Sequence, residues 1–67
     1  MRYFIIINPP QYRDNPEDVR GYAWAGDAKD EGDAFEQACA DCEALNDWEA
    51  GDVDRDDTDI IECGPDH

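Results

Sequence analysis

The sequence predicts an α+β fold in which a small three-stranded antiparallel sheet, with strand order 2-1-3, carries one helix on one face. Three features support this prediction: an apolar, β-branched segment near the N-terminus, an amphipathic segment in the middle, and a short β-branched segment near the C-terminus. With 67 residues the chain has room for one core, so residues 1–67 are predicted to form one compact domain. The predicted element order is ββαβ.

The first strand is predicted over residues 2–8, where an aromatic and β-branched run begins at Tyr3. Pro9 and Pro10 end it, because proline cannot donate to a strand ladder. Both faces of this strand are apolar, which is typical of a central strand covered on both sides. One helix covers only one face of the sheet. We therefore expect the loop over residues 9–18 or a second subunit to cover the other face.

Two further strands complete the predicted sheet. The second is predicted over residues 19–25, with aromatic residues such as Trp24 on one face and small residues such as Ala23 on the other. We expect the helix to pack on the face with the small side chains, since they leave space for it. The third strand is predicted over residues 58–63, and a Gly-Pro step ends it.

The helix is predicted to begin after Asp30, whose carboxylate can accept the amide hydrogen of Asp33, and to continue to about Asp47. Gly51 can close it a few residues later. At 100° per residue, the apolar residues of this segment fall within an arc of about 140°, the width of a core-facing stripe. They are Ala34, Phe35, Ala38, Cys39, Cys42 and Leu45. We expect all of them to pack on the first strand.

Charge is the most unusual feature of the composition. Nineteen acidic residues against five basic ones give a net charge of −14. Residues 1–26 hold three arginines and three acids and sum to zero, so residues 27–67 carry the whole excess. Such a surface excludes direct binding to nucleic acid phosphates, which requires a cationic footprint. Cationic partners are predicted instead.

The acidic residues form two blocks. Four of them, Asp33, Glu36, Glu43 and Asp47, fall on a helix stripe roughly 80° wide, in which the sequence places no basic residue. This stripe is about 21 Å long, a length over which one DNA strand carries about six phosphates. A second block follows the helix. The predicted partner-binding residues are Asp30, Glu31, Asp33, Glu36, Glu43, Asp47, Asp52, Asp54, Asp56, Asp57 and Asp59.

In size, acidity and compact α/β plan, the chain resembles the small phage-encoded DNA-mimic inhibitors, and among them the anti-CRISPR proteins that act on type I CRISPR-Cas complexes. The resemblance covers the whole chain in character, and the group shares no diagnostic motif. It implies a non-enzymatic inhibitor that occupies the basic DNA-binding surface, for the PAM or the target strand, of a Cas subunit. It also implies a location in the cytoplasm of an infected host cell.

Adaptation to high salt is an alternative explanation of the acidity. An acidic surface keeps a protein hydrated at high salt, and an excess of Asp, with Arg preferred to Lys, agrees with it. The clustering argues against it, because salt adaptation should also acidify residues 10–20, where two arginines nearly balance three acids. A run of charged residues is also commonly just a solvent-exposed helix face without a binding partner. The net charge nevertheless exceeds the magnitude of about 2 to 8 that suffices for a soluble small domain.

A small metal-binding module is a further alternative. Cys39, Cys42, Cys63 and His67 supply the ligand types of a zinc site, but the first two lie on the apolar stripe. We interpret all three cysteines as buried, reduced thiols. Residues 52–62 have oxygen ligands at alternate positions, as a calcium loop does. The sixth position of such a loop is glycine and the twelfth is glutamate, but here they are Asp57 and Cys63. No metal or other cofactor is predicted.

Catalysis and membrane insertion are not supported. The chain has no serine, its one histidine is the last residue, and it has no glycine-rich phosphate loop, so we expect no enzyme activity. The longest apolar run is far shorter than the roughly 20 residues that span a bilayer. The protein is therefore predicted to be soluble and intracellular, a monomer or a weak homodimer, with a basic nucleic-acid-binding protein as its partner.

Overall fold

A computed structural model describes residues 1–13 and 21–65. Its elements are β1 (Arg2–Asn8), a single-turn α1 (Pro10–Arg13), β2 (Tyr22–Asp27), α2 (Glu31–Leu45) and β3 (Asp59–Pro65). The three strands form an antiparallel sheet in the order β2-β1-β3. The predicted fold class, sheet order and element order are confirmed. The loop predicted over residues 9–18 contains α1, and its remaining residues lie outside the described part of the chain.

The register of the sheet assigns each side chain of β1 to one face. Ile5 lies opposite Trp24 of β2 and Cys63 of β3, and Ile7 lies opposite Tyr22 and Ile60. Ile5 and Ile7 are buried on the face that α2 covers, with Tyr22, Trp24 and Cys63 packed against them, whereas Ile60 is 53% exposed. The register against β3 shifts between Ile6 and Ile7, where β3 contains one more residue than its partner.

The N-terminus of α2 is capped as predicted. The Asp30 carboxylate accepts a hydrogen bond of 2.8 Å from the Asp33 amide, and the Asp33 carboxylate accepts one of 3.2 Å from the Lys29 amide. These bonds satisfy backbone donors that a helix start otherwise leaves without partners. The helix ends at Leu45, two residues before the predicted end, and Asp47 then takes a positive φ of 58°. Gly51 lies in a later turn and does not close the helix.

The core lies between β1 and α2. It consists of Ile5, Ile7, Ala38, Cys39 and Val53, each at most 2% exposed. The predicted packing of β2 is wrong. Its aromatic residues, represented by Trp24, pack on the core beside α2, while its small residues are exposed on the opposite face. The small residues that make room are on α2 itself, where alanine and cysteine form most of the buried face.

Leu45 is also placed differently from the prediction, because it is 71% exposed. One turn earlier, Asp41 accepts a hydrogen bond of 3.0 Å from the hydroxyl of Tyr22, the first residue of β2. The last turn of α2 therefore extends past the end of this strand. Helical periodicity shows the direction of Leu45 around the helix axis, but it does not show where the sheet ends.

The second face of the sheet, which we call the outer face, is only partly covered by the described residues, and residues 14–18 of the loop predicted to cover it lie outside them. Phe4 and Ile6 of β1 are half-buried there, and Ala23 and Ala25 of β2 are exposed. The single turn α1 packs elsewhere: the rings of Tyr12 and Trp48 contact each other edge to face, with centroids 5.7 Å apart. Within residues 1–13 and 21–65, no element forms a second layer over the outer face.

We expect the core to tolerate much less change than the end of α2. Replacing Ile5 by Val removes one carbon from a fully buried side chain and should cost about 0.5–1.5 kcal/mol. Leu45→Ala removes three carbons but should change the free energy of unfolding by less than about 0.5 kcal/mol, since Leu45 is exposed. Urea unfolding of both variants measures the difference. A larger loss for Leu45→Ala would contradict the placement of α2.

Candidate functional site: an acidic surface on α2 and the following loop

The acidic surface depends on Glu43, which is only 4% exposed although it lies on the predicted acidic stripe. One of its carboxylate oxygens, Oε2, accepts hydrogen bonds from the Gly51 amide (2.7 Å) and the Val53 amide (3.0 Å). The other, Oε1, lies 3.3 Å from Nη2 of Arg55. The prediction that Glu43 is exposed for a partner is therefore wrong. Its side chain is occupied in holding the loop of residues 46–58 against α2.

Arg55 joins two acids of the stripe. Its Nε donates to Glu36 Oε2 at 2.8 Å, while its terminal nitrogens contact Glu43. The expectation that nothing basic lies on the stripe is therefore also wrong. Helical periodicity cannot predict this contact, because Arg55 lies ten residues after the end of α2. It contacts the helix only because the loop folds back against it.

The pKa values of this cluster follow from its contacts. Burial alone would raise the pKa of Glu43, but the hydrogen bonds from Arg55 and from the amides of Val53 and Gly51 outweigh it and lower that pKa. The hydrogen bonds that Arg55 donates to Glu43 and Glu36 in turn raise the pKa of Arg55. Glu43 is thus a carboxylate at neutral pH, balanced by a guanidinium.

The loop after α2 is ordered by its own carboxylates. Asp52 accepts a 2.8 Å hydrogen bond from the Glu49 amide, and Asp54 accepts one of 3.1 Å from the Asp56 amide. The Thr58 hydroxyl donates to the Asp54 carbonyl at 2.6 Å. Short acidic side chains can bond to backbone amides two or three residues away, which stabilises turns. The loop is therefore held both locally and through Glu43.

A second arginine binds the end of the loop. Arg13, which ends α1, lies 3.1 Å from the Asp57 carboxylate and 3.5 Å from that of Asp59, and also donates to the Asp57 carbonyl. Gln11 donates to the Asp52 carbonyl, so α1 is attached to the loop at two points. Asp57 and Asp59 remain about 65% exposed but are partly neutralised by this arginine.

The predicted site residues therefore separate into two groups. Four are in ion pairs with arginine, and the rest have no arginine or lysine within ion-pair distance among residues 1–13 and 21–65. The paired residues are Glu36, Glu43, Asp57 and Asp59. The others are Asp30, Glu31, Asp33, Asp47, Asp52, Asp54 and Asp56, and we call these seven with Glu36 the acidic surface.

The three cysteines considered as metal ligands lie in or beside the core. Cys39 and Cys42 are buried in the core, and Cys63 is half-buried with a free thiol. Burial raises the pKa of Cys39 to about 11, so this thiol is protonated at neutral pH. In residues 1–13 and 21–65, no three His, Cys, Asp or Glu side chains are close enough together to hold a metal ion, and His67 lies outside these residues.

The part of the chain that the structure describes contains no pocket. None of its helices is long and apolar enough to cross a membrane. Comparisons with protein-family models, curated proteins and solved structures find no match. The interpretation of the acidic surface therefore depends on its own geometry and charge.

Sequence reasoning did not identify Arg55 and Val53 as parts of this region. Val53 is the one apolar residue in a run of acids, and its burial beneath the loop explains why it is there. An isolated aliphatic residue in an acidic loop is thus a usable signal for an anchor point. For Arg55, the usable signal is a single cation among the five aspartates of residues 52–59.

Loss of the Glu43 charge should weaken the fold. Glu43→Gln should cost about 1.5–3 kcal/mol, because hydrogen bonds to a buried charged group contribute about that much and Arg55 keeps only Glu36. Glu49→Gln is the matched control, since Glu49 is exposed and its neutralisation should change stability by less than about 0.5 kcal/mol. Urea unfolding at neutral pH measures both. Equal effects of the two substitutions would contradict the anchoring role of Glu43.

The Glu43 contribution should also depend on pH. Its pKa is lower in the folded than in the unfolded state, so its stabilising effect is complete above the unfolded value of about 4.3 and is lost as the pH falls through the folded value. Subtracting the Glu43→Gln unfolding free energy from that of the unmodified protein removes the common effect of the other carboxylates. This difference should be constant between about pH 6 and 8 and should decrease below about pH 4. An increase toward acid would contradict the assignment.

Proposed function

We propose that this protein is a non-enzymatic inhibitor whose acidic surface imitates the charge of nucleic acid and occupies a basic DNA-binding surface. The observation that supports it most directly is the fixed position of the acidic surface. Its carboxylates are carried by α2 and by a loop that Glu43 and Arg55 hold against α2. A preorganised set of charges loses little conformational entropy when it binds.

The size of the surface agrees with a strand of DNA. The fifteen residues of α2 are about 22 Å long, a distance over which one strand carries about six phosphates. Unpaired carboxylates lie at both ends of this length: Asp30, Glu31 and Asp33 at the start of α2, and Asp47 after its end. Asp54 and Asp56 lie on either side of Arg55 in the loop that follows α2.

The charges also favour fast association with a cationic partner. A net charge of −14 produces a field that attracts a basic surface and raises the rate of encounter. Arg13 and Arg55 are each held by two carboxylates, so they add little repulsion to a basic partner. The resemblance to anti-CRISPR proteins suggests a DNA-recognising Cas subunit of a type I complex as this partner.

Adaptation to high salt is the second candidate, and the distribution of acids argues against it. Salt adaptation acidifies a surface generally, yet the middle of the outer face is formed by Phe4, Ile6, Ala23 and Ala25. The acids are concentrated instead on α2 and its following loop. This uneven distribution favours a partner on the acidic side.

Neutralising part of the acidic surface should weaken inhibition. We expect the double variant Asp54→Asn and Asp56→Asn to keep its fold, because asparagine also accepts hydrogen bonds from backbone amides. It should displace fluorescent target DNA from a purified type I surveillance complex at least about tenfold less effectively, mainly through slower association. The loss should diminish as salt increases, because exposed charges are screened.

The matched control removes two charges elsewhere. Asp27→Asn with Glu62→Gln changes exposed acids of the sheet that are outside the acidic surface, with the same change in net charge. Equal loss in both double variants would indicate a general charge effect and contradict a defined surface. If the unmodified protein displaces no DNA and unfolds at low salt, salt adaptation explains the acidity instead.

A further inference from the structure

The edge of the sheet at β2 has backbone groups that point away from the sheet. The Ala28 amide donates to the Met1 carbonyl at 2.9 Å, which extends the β1–β2 register by one residue. In an antiparallel pair, only every second residue bonds to the neighbouring strand. By this alternation, Ala23, Ala25 and Asp27 direct their backbone groups outward. Within residues 1–13 and 21–65, no strand pairs with this edge.

One of these outward groups has a partner on α2. The Gln37 side chain donates to the Asp27 carbonyl at 2.9 Å and to the Asp33 carboxylate at 3.1 Å. The outward amides and carbonyls of Ala23 and Ala25 have no hydrogen bond to a described residue, and both alanines are exposed. The edge therefore offers hydrogen bonds to an added strand.

The opposite edge of the sheet is protected in a way that β2 is not. Edge strands avoid unwanted pairing through bulges, charged side chains and prolines. The strand β3 has all three: its register shifts against β1, it carries acids such as Glu62, and it ends at Pro65. The strand β2 has no bulge and no proline, and its one charged residue, Asp27, is its last. An added strand is therefore expected at β2.

Residues 14–20 are too few to fill this edge. They connect Arg13, which Asp57 and Asp59 hold at the start of β3, with Gly21, which precedes β2. Seven residues extend at most about 24 Å. A path along the six residues of β2 and back measures roughly 40 Å. A strand that pairs with the whole edge must therefore come from another molecule.

The charges beside this edge favour a basic strand. Asp41 accepts a hydrogen bond of 3.0 Å from the Tyr22 hydroxyl at the start of β2, and Gln37 links Asp33 to the end of β2. Neither carboxylate has an arginine or lysine within ion-pair distance among the described residues. They are about 12 Å apart along α2. Side chains four residues apart on a strand share a face and are about 13 Å apart, so two basic side chains can face both carboxylates.

We propose that the β2 edge binds an extended basic segment of a protein partner as a fourth strand of the sheet. The backbone of this segment pairs with Ala23 and Ala25. Its basic side chains face Asp33 and Asp41, and the side chains between them lie beside the two alanines. The edge shares only Asp33 with the acidic surface, so this proposal does not rest on the proposed function.

A peptide of alternating lysine and valine, as long as β2 and blocked at both ends, is the probe. Fluorescence anisotropy at about 0.1 M salt should give a dissociation constant on the order of 100 µM. Charge alone attracts such a peptide to a chain of net charge −14. The control is therefore the same peptide with all backbone amides N-methylated, which keeps the charges but removes the strand donors. It should bind at least about tenfold more weakly.

Two pairs of variants locate the contact on the protein. Ala25→Pro removes an outward amide, which an edge strand tolerates, and should weaken peptide binding at least about tenfold, whereas Ala25→Ser should not. Asp41→Asn keeps an acceptor for Tyr22 and should weaken binding about threefold. Glu62→Gln removes an equal charge on β3 and should have a smaller effect. Circular dichroism checks folding, and the N-methylated peptide retains the test if Ala25→Pro does not fold.

Amide hydrogen exchange of the unmodified protein identifies the paired strand, because excess peptide should slow exchange at Ala23 and Ala25. Three results would overturn the proposal. The first is equal binding of the two peptides, and the second is slower exchange in β3 and not in β2. The third is slower exchange at Ala23 and Ala25 as the protein concentration rises without peptide, which would make a second copy the occupant. None of these results affects the displacement of DNA, so the two proposals can fail separately.

Discussion

The buried carboxylate of Glu43 is the contact on which the rest of the structure depends. It accepts hydrogen bonds from the amides of Gly51 and Val53 and pairs with Arg55, so one side chain joins the loop of residues 46–58 to α2 at three points. This contact also brings Val53 into the core, where it is 2% exposed. Burying a charge is costly unless it is paired and hydrogen-bonded, and here both conditions are met. The core and the acidic surface therefore share one anchor.

In a chain with net charge −14, hydrogen bonds and ion pairs must offset part of the repulsion between the acidic side chains. Several aspartates serve as local caps, among them Asp30 at the start of α2 and Asp52 and Asp54 in the loop. This role suits aspartate better than glutamate, because its shorter side chain reaches nearby amides at lower entropic cost. It gives a physical reason for the excess of aspartate over glutamate. Arg13 and Arg55 each bind two carboxylates, which further reduces the repulsion inside the fold.

The molecule has two sides of different chemistry. The side of α2 and its loop is acidic and held in place by hydrogen bonds, and the outer face of the sheet is apolar at its centre. The proposed inhibitor function uses the first side, because exposed, fixed carboxylates complement a basic DNA-binding groove.

The sequence alone determined the fold class, the sheet order and the start of α2, because these depend on local patterns. The β-branched run at Tyr3, the cap at Asp30 and the apolar periodicity of the helix are all readable within a few residues. It also determined the sign and concentration of the charge. Only the tertiary structure decided which acids are available. Glu43 lies on the same helix stripe as exposed acids, yet it is buried because Arg55 and two loop amides return to it from eight to twelve residues later. Leu45 is exposed because the sheet ends before the helix does. Both outcomes depend on contacts between elements, which one-dimensional periodicity does not contain.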